Sequence, residues 1–172
     1  MNAGRSEQPR TAADEHSTTR QDVSAPAATV AVREVAAADF PQWAPLWAGY
    51  NSFYEREVPD AVTQATWSRF FEPIEPVHAL VAEQDGRLLG LVHYLFHRAT
   101  AMIEMTCYLA DLFTNEAARG KGVGKRLIEE TRKAAGGAQT TTLLLSAPTA
   151  MTFYQGIKMP HADNCFLYRR EK

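Results

Sequence analysis

The stretch "ARGKGVGKRLIEE", residues 118–130, sets three glycines among four cations and then runs straight into a helical pattern. Gly120, Gly122 and Gly124 have no Cβ atom, so the backbone around them can approach a ligand closely. The start of the helix adds partial positive charge and free amide N–H groups at the same place. The stretch therefore predicts an anion site of the kind that holds a pyrophosphate.

Two common nucleotide motifs do not fit this spacing. A P-loop needs a glycine five residues before its Gly-Lys pair and Ser or Thr directly after it, but Arg119 and Arg126 stand there. A dinucleotide fingerprint needs a glycine where Lys125 stands and a parallel strand before it, whereas this strand follows an antiparallel run. A simple turn into a helix needs only one glycine and no cations. The pyrophosphate interpretation is the one that remains.

The hydrophobic pattern on either side of this stretch predicts strands and helices in mixed order. Alternating valines in "TVAVREV" indicate a first strand, and aromatic residues from Phe40 to Tyr54 recur at helical spacing. A shorter helix follows with Val62, Trp67, Phe70 and Phe71 on its apolar face. Asp85 and Gly86 then indicate a hairpin between two strands.

A third strand, "MIEMTCYLADLFT", precedes the glycines, and a helix over "VGKRLIEETRKAA" follows them. The strand "TTLLLS", the helix "PTAMTFYQG" and the strand "NCFLYRR" complete the order β-α-α-β-β-β-α-β-α-β. This order predicts an α/β fold with a mixed, predominantly antiparallel central sheet flanked by helices. We expect a single domain over residues 29–172, preceded by a disordered tail over residues 1–28, which is poor in large apolar side chains.

Composition narrows the class of protein. The formal net charge of the 172 residues is −2, which gives no overall attraction to nucleic acid or anionic lipid. The six cations from Arg119 to Lys133 have no aromatic residues between them, so nucleic-acid binding is not expected. Cys107 and Cys165 are too few for a disulfide framework and lack metal-ligand spacing, so no metal is expected. Without a signal peptide or a membrane-spanning run, the protein is expected in the cytoplasm, away from membranes.

The glycine stretch also carries a family resemblance. Arg119, Gly122 and Gly124 form the pattern Arg-x-x-Gly-x-Gly, which follows the strand "YLADLFTNEAA" and precedes a helix. This pattern resembles the acyl-CoA pyrophosphate motif of the GNAT superfamily of N-acetyltransferases, and the resemblance extends from about Val30 to Arg170. It implies acetyl-CoA as donor, and a homodimer is common among such proteins.

The resemblance also implies which residues hold the donor. The main chain of a strand segment would contact the acyl-CoA arm, and amides of the glycine stretch would hold its phosphates. The strand residues are Leu112, Phe113 and Thr114, and the glycine-stretch residues are Arg119, Gly120, Lys121, Gly122, Val123, Gly124 and Lys125.

The resemblance implies a general acid as well. Tyr154 in "TFYQG" stands where members of the family often carry a tyrosine close to the CoA sulfur, so we expect it to protonate the departing thiolate. The family pattern usually has a glycine four residues later, where this chain has Lys158. Candidates for the base are Glu104, His93 and His97, or a water molecule that they relay. Asp111 is expected to be structural.

The acceptor is expected to enter between the first two helices and the sheet. There "YNSFYEREVPD" supplies Tyr50, Tyr54 and Glu55, with Glu57 and Asp60 further on. Aromatic rings beside carboxylates suit a cationic amine. We therefore expect an N-acetyltransferase acting on the primary amine of a small molecule by direct attack in a ternary complex. The alternatives are a protein lysine or N-terminal acetyltransferase, and a non-catalytic acyl-CoA sensor.

Overall fold

The structure is a computed structural model, and it describes residues 29–98, 100, 103, 105–136, 141–143, 148–156 and 158. Its strands and helices are β1 (Ala31–Glu34), α1 (Phe40–Phe53), α2 (Asp60–Arg69), β2 (Val77–Gln84), β3 (Arg87–Arg98), β4 (Met105–Thr114), α3 (Val123–Ala134), β5 (Thr141–Leu143) and α4 (Pro148–Gly156). The predicted order is confirmed as far as α4. The predicted tail over residues 1–28 and the final strand "NCFLYRR" lie outside the described residues, and the domain limits 29–172 stay a prediction.

The five strands form one sheet in the order β1-β2-β3-β4-β5. The first four are antiparallel to their neighbours, and β5 runs parallel to β4 after the crossover through α3. The β2–β3 hairpin turns at Asp85 and Gly86, which both have positive φ, at 51° and 74°. Such a pair of angles matches the twist of the flanking strands. The predicted fold class, a mixed and predominantly antiparallel sheet with flanking helices, is confirmed.

A hydrophobic core lies on each face of the sheet. On one face the aromatic residues of α1 pack against β2 and β3, with Trp43 fully buried. On the other face α3 packs Val123, Leu127 and Ile128 against the same strands. The structure corrects the prediction for α2, because only Trp67 and Phe70 pack against the α1 core. Val62 and Phe71 are exposed.

A bulge in β4 decides which side chains reach the face that α1 covers. In the register with β3, His93 pairs with Asp111, and the next residue of β3 pairs with Leu109. Ala110 therefore has no partner in β3 and is the extra residue of a β-bulge. Because one residue is inserted, Leu109 and Leu112 both face the α3 core, three positions apart. Asp111 is turned to the α1 face instead.

Among the helices of the described residues, none is long and apolar enough to cross a membrane.

Candidate active site

Two glycines of the loop before α3 are required by backbone conformation. Gly122 caps α3 with φ at 78°, and Gly120 has φ at 75°. These are left-handed conformations, which a residue with a Cβ atom adopts only with strain. At neither position would a Cβ atom meet another atom within 4 Å. The loop therefore needs glycine at both positions for its shape, and the space beside them is open.

Gly124 is present for a different reason. It lies in the first turn of α3, where a Cβ atom would come within 3.3 Å of the Phe153 ring and 3.5 Å of Thr114 Oγ1. The missing side chain makes room for Phe153 of α4, which packs over the start of α3. The sequence interpretation gave all three glycines one reason, whereas the structure gives Gly124 a packing role within the protein.

The start of α3 has the features of an anion site. Gly122 offers no side chain to cap the helix, and the first turn contains no acidic residue. The amide N–H groups of the first turn have no carbonyl partners in a helix, so they are available to an anion. The side chain of Lys121 is exposed. Arg126 is directed elsewhere, because its guanidinium donates a hydrogen bond to the main-chain oxygen of Val30.

The end of β4 lies beside this loop. Residues 107–109 of β4 pair with residues 141–143 of β5. Leu112, Phe113 and Thr114 are paired with β3. This segment, which the sequence predicted for the acyl-CoA arm, lies next to the glycine loop, because Arg119 Nε donates to the main-chain oxygen of Thr114 at 3.4 Å.

Three tyrosines of the predicted site lie close enough to influence one another. Tyr154 of α4 is 7% exposed and packs in the core that α3 covers. Burial, together with the nearby Tyr54, raises the pKa of Tyr154 to about 12, so the hydroxyl keeps its proton at neutral pH. The ring centroids of Tyr54 and Tyr50 lie 5.0 Å apart. We call Tyr50, Tyr54 and Tyr154, which are the predicted general acid and two predicted acceptor residues, the tyrosine cluster.

A chain of hydrogen bonds reaches this cluster from the core. The Trp43 indole N–H donates to His93 Nε2 at 3.0 Å. Because an indole can only donate, Nε2 is an acceptor and the proton of the neutral imidazole is on Nδ1. That N–H donates to Asp111 Oδ2, also at 3.0 Å. The Tyr50 hydroxyl also interacts with the Asp111 carboxylate.

These contacts keep Asp111 ionised. Burial disfavours its charge, but the hydrogen bond from His93, the interaction with Tyr50 and the positive charge of Arg56 hold the pKa of Asp111 below its ordinary value. Burial in turn raises the pKa of Tyr50 well above its ordinary value, and the charge of Asp111 adds to this effect. The side chain of Asp111 is 17% exposed, so part of it is accessible to solvent.

The structure describes two of the three bases that the sequence predicted, and they differ in burial and in hydrogen bonding. His93 is 2% exposed with both ring nitrogens hydrogen-bonded, which suits a positioning role better than proton uptake. His97 is exposed, and its Nδ1 faces the main-chain oxygen of Arg98. Glu104 lies outside the described residues. Sequence reasoning expected Asp111 to be structural and gave no sign of its contact with His93, because the bulge is what brings its side chain to this face.

Glu55 stands at a strained position directly after α1. Its φ is 52°, and the amides of Glu55 and Arg56 donate to the carbonyl groups of Ser52 and Asn51, each at 3.0 Å. This is the helix ending that usually places glycine where Glu55 stands. The Glu55 side chain is exposed and lies outside the tyrosine cluster, unlike Tyr50 and Tyr54.

A cleft of about 810 Å³ lies between α1 and α2, a size within the range of small-molecule sites. Glu55, Glu57 and Asp60 line it, but the tyrosines of the cluster do not. The cleft therefore lies beside the candidate active site and not within it. Arg56 lines the cleft and also stacks on Tyr50, so it borders both.

A pH dependence of stability follows from Asp111. Since its folded pKa is lowered, the carboxylate stabilises the fold above its unfolded pKa of about 3.9, and this contribution is lost as pH falls through the folded value. Asp111→Asn should therefore lower the free energy of unfolding most near neutral pH, and its difference from wild type should shrink below about pH 4. Urea unfolding across pH measures this, with Glu57→Gln as the control for one lost charge. A pH-independent difference would contradict the assignment.

Comparisons with known proteins find acetyltransferases. Residues 75–157 match the model of the acetyltransferase (GNAT) domain. The chain is 33% identical over 102 residues to the D-amino-acid N-acetyltransferase HPA3 of Saccharomyces cerevisiae. The aligned region covers 58% of this chain and 63% of the yeast enzyme. The match thus spans less than two thirds of the yeast enzyme's length.

Solved structures share the fold at low identity. An aminoglycoside acetyltransferase from an uncultured soil metagenomic sample superposes with a TM-score of 0.66 at 17% identity, over 83% of this chain and 97% of that one. The ribosomal-protein-alanine N-acetyltransferase of Brucella melitensis biovar Abortus 2308 gives 0.64 at 22% identity, over 84% and 99%. Residues 75–157 therefore match the GNAT acetyltransferase domain, and the solved structures share the fold of the chain.

Among the described residues, no group of three or more His, Cys, Asp or Glu side chains is placed to hold a metal ion.

Proposed function

We propose that the protein transfers an acetyl group from acetyl-CoA to the primary amine of a small molecule, by direct attack in a ternary complex. The observation that carries the proposal is the arrangement at one end of the sheet. The glycine loop at the start of α3 lies beside the end of β4, where Gly124 and Arg119 are close to Thr114, and β4 also carries Asp111. An anion site, an extended main-chain segment, a proton donor such as Tyr154 and a carboxylate are what this reaction needs.

The donor would lie along two surfaces. The pyrophosphate would take the amides from Arg119 to Lys125, and the pantetheine arm would follow the main chain of residues 112–114. Arg119 is tied to Glu116 at 3.3 Å, which is an exposed pair of small energetic value. Arg119 Nε also donates to the main-chain oxygen of Thr114 at 3.4 Å. Both contacts are exposed, so the guanidinium can turn to a phosphate at little cost.

The acceptor binds as an ammonium ion, so the chemistry needs two protons removed and one supplied. The nitrogen loses its first proton to become a neutral amine, forms a bond to the acetyl carbon and loses a second proton, and the carbon–sulfur bond then breaks. Tyr154 gives its proton to the leaving thiolate, for which its raised pKa keeps it protonated. We assign Asp111 to the acceptor's ammonium group before it is deprotonated, since its carboxylate stays charged and partly exposed. The two amine protons pass to water or to one of the sequence-predicted bases.

The acceptor class rests on the residues and on the yeast relative. Tyr50, Tyr54 and Asp111 form a small aromatic and anionic site, which suits one amine. The relative's name gives D-amino acids as its substrates, and this supports a small-molecule acceptor here too. A cytoplasmic location, a homodimer, and the absence of nucleic-acid and membrane partners stay predictions.

A thiol-release assay tests the proposal. Purified protein with acetyl-CoA should release CoA in the presence of amino acids or simple amines and not in their absence. Release with peptides alone would favour the protein acetyltransferase. If no amine or peptide gives release while calorimetry still detects CoA binding, the protein is an acyl-CoA sensor, and the proposed function is wrong.

Gly122→Ala is expected to weaken CoA binding about tenfold, because a residue with a Cβ atom costs about 1–2 kcal/mol in the left-handed conformation that the loop requires. Titration calorimetry with CoA measures the change. Gly124→Ala is the matched comparison, since its backbone is helical and only the Phe153 ring must shift. Equal affinity for the wild type and the Gly122→Ala protein would show that the loop shape does not matter for binding.

A further inference from the structure

Arg56 occupies an unusual position at the edge of the tyrosine cluster. Its amide is fixed by the hydrogen bond to Asn51 that ends α1. Its guanidinium carbon lies 5.0 Å from the centroid of the Tyr50 ring and 5.3 Å from that of Tyr54. Stacking on two rings holds the charged group in place while its edge, which carries the N–H donors, is left to face other partners.

The nearby carboxylates in the described part of the chain do not pair with the N–H groups of the Arg56 guanidinium. Glu55 and Glu57 flank it in the sequence, yet within the described residues Arg56 makes no ion pair with either of them or with any other carboxylate. Asp111 feels its positive charge without a direct contact of this kind. An arginine that is held by aromatic rings beside an active site, and is not paired, is suited to bind an anionic group of a ligand.

Tyr50 connects this cation to the opposite charge. Its hydroxyl interacts with the Asp111 carboxylate, and its ring lies under the Arg56 guanidinium. A negative group thus lies near the hydroxyl of Tyr50 and a positive group over its ring, next to Tyr54. This arrangement is complementary to a small zwitterion, whose ammonium group would face Asp111 and whose carboxylate would face Arg56.

We propose that Arg56 binds the carboxylate of the acceptor and so makes the enzyme selective for amino acids over simple amines. This inference rests on the proposed function and names a specificity residue for the same site. A guanidinium can make two parallel hydrogen bonds to a carboxylate, and lysine cannot reproduce that geometry. Removing Arg56 removes the interaction only for acceptors that carry a carboxylate.

The test compares acceptors that differ only in that group. Phenylalanine of either hand and 2-phenylethylamine are assayed by thiol release with wild type, Arg56→Gln and Arg56→Lys. Arg69→Gln, which removes an exposed arginine from the end of α2, controls for the lost charge. Arg56→Gln should lower kcat/KM for phenylalanine by about 10- to 100-fold, as expected for a charged hydrogen bond, and change that for 2-phenylethylamine by less than about threefold. Arg56→Lys should lie between.

The outcomes separate this inference from the proposed function. If the wild type acetylates phenylalanine and Arg56→Gln does so equally well, or loses both acceptors to the same extent, the role of Arg56 is wrong while the proposed function stands. If wild type prefers 2-phenylethylamine to both enantiomers, the inference is also wrong. If wild type acetylates no amine at all, the proposed function itself fails. Thermal unfolding of each variant confirms that it is folded.

Discussion

Tyr154→Phe is expected to lower kcat by about 10²-fold or more, as is typical for loss of a general acid, and to leave the dissociation constant of CoA nearly unchanged. The substitution removes only the hydroxyl, so the ring still fills its place in the core that α3 covers. Without the hydroxyl, the thiolate must leave unprotonated or take a proton from water. Thiol-release kinetics give kcat, and calorimetry gives the affinity for CoA.

Tyr94→Phe is the matched control. Tyr94 lies in the same core, is 4% exposed, and burial raises its pKa to about 12 as well. The Tyr94→Phe substitution also removes one hydroxyl from a buried tyrosine, but outside the tyrosine cluster. We expect its kcat to stay within about threefold of wild type, since a hydroxyl outside the site takes no part in proton transfer. If Tyr154→Phe turns over as fast as Tyr94→Phe, Tyr154 is not the general acid.

Gly90→Ala is expected to lower the free energy of unfolding by about 3 kcal/mol, at the upper end for an overpacked core. Gly90 is buried in β3, and a Cβ atom there would lie 2.6 Å from the main-chain oxygen of Phe113 and 3.2 Å from Leu127. Main-chain atoms of a paired strand cannot move aside, so β3 and β4 must separate locally. The shift would also disturb Thr114, which pairs with Gly90.

Chemical denaturation measures the change. Gly156→Ala is the control, since a Cβ atom at the end of α4 meets nothing within 4 Å and alanine favours the helix. That variant should be as stable as wild type or slightly more so. An unchanged denaturation midpoint for Gly90→Ala would mean that β4 can move away from β3 at this point.

Much of the fold could be predicted because the sequence patterns there are local. Asp85 and Gly86 mark their hairpin by residue type alone, and the spacing of aromatic residues marks α1. The prediction of the apolar face of α2 was correct for two of its four residues. A helical pattern shows which residues share a face, but it does not show how far the core extends over that face. Val62 and Phe71 fall beyond the edge of that core.

The features of the candidate site that depend on neighbouring residues in the sequence could be predicted. The features that depend on tertiary contacts could not. The left-handed angles at Gly120 and Gly122 fit residue types that the sequence displays directly. The packing of Phe153 over Gly124 joins two helices that are far apart in sequence, so no local pattern indicates it. The hydrogen bond from the Trp43 indole to His93 Nε2 joins residues that are 50 positions apart. No local pattern therefore shows that this ring nitrogen is already occupied.

The bulge at Ala110 accommodates one extra residue in β4 without changing the faces of the residues on either side. Deleting that one alanine would leave Leu109 and Asp111 adjacent, so strict alternation would keep them opposite Tyr94 and His93, on the same faces as now. A regular strand that kept Ala110 would instead put Asp111 on the face of Leu109, in the aliphatic layer under α3. A gap of a single residue here, in any alignment of relatives, is therefore compatible with an aspartate that still faces α1.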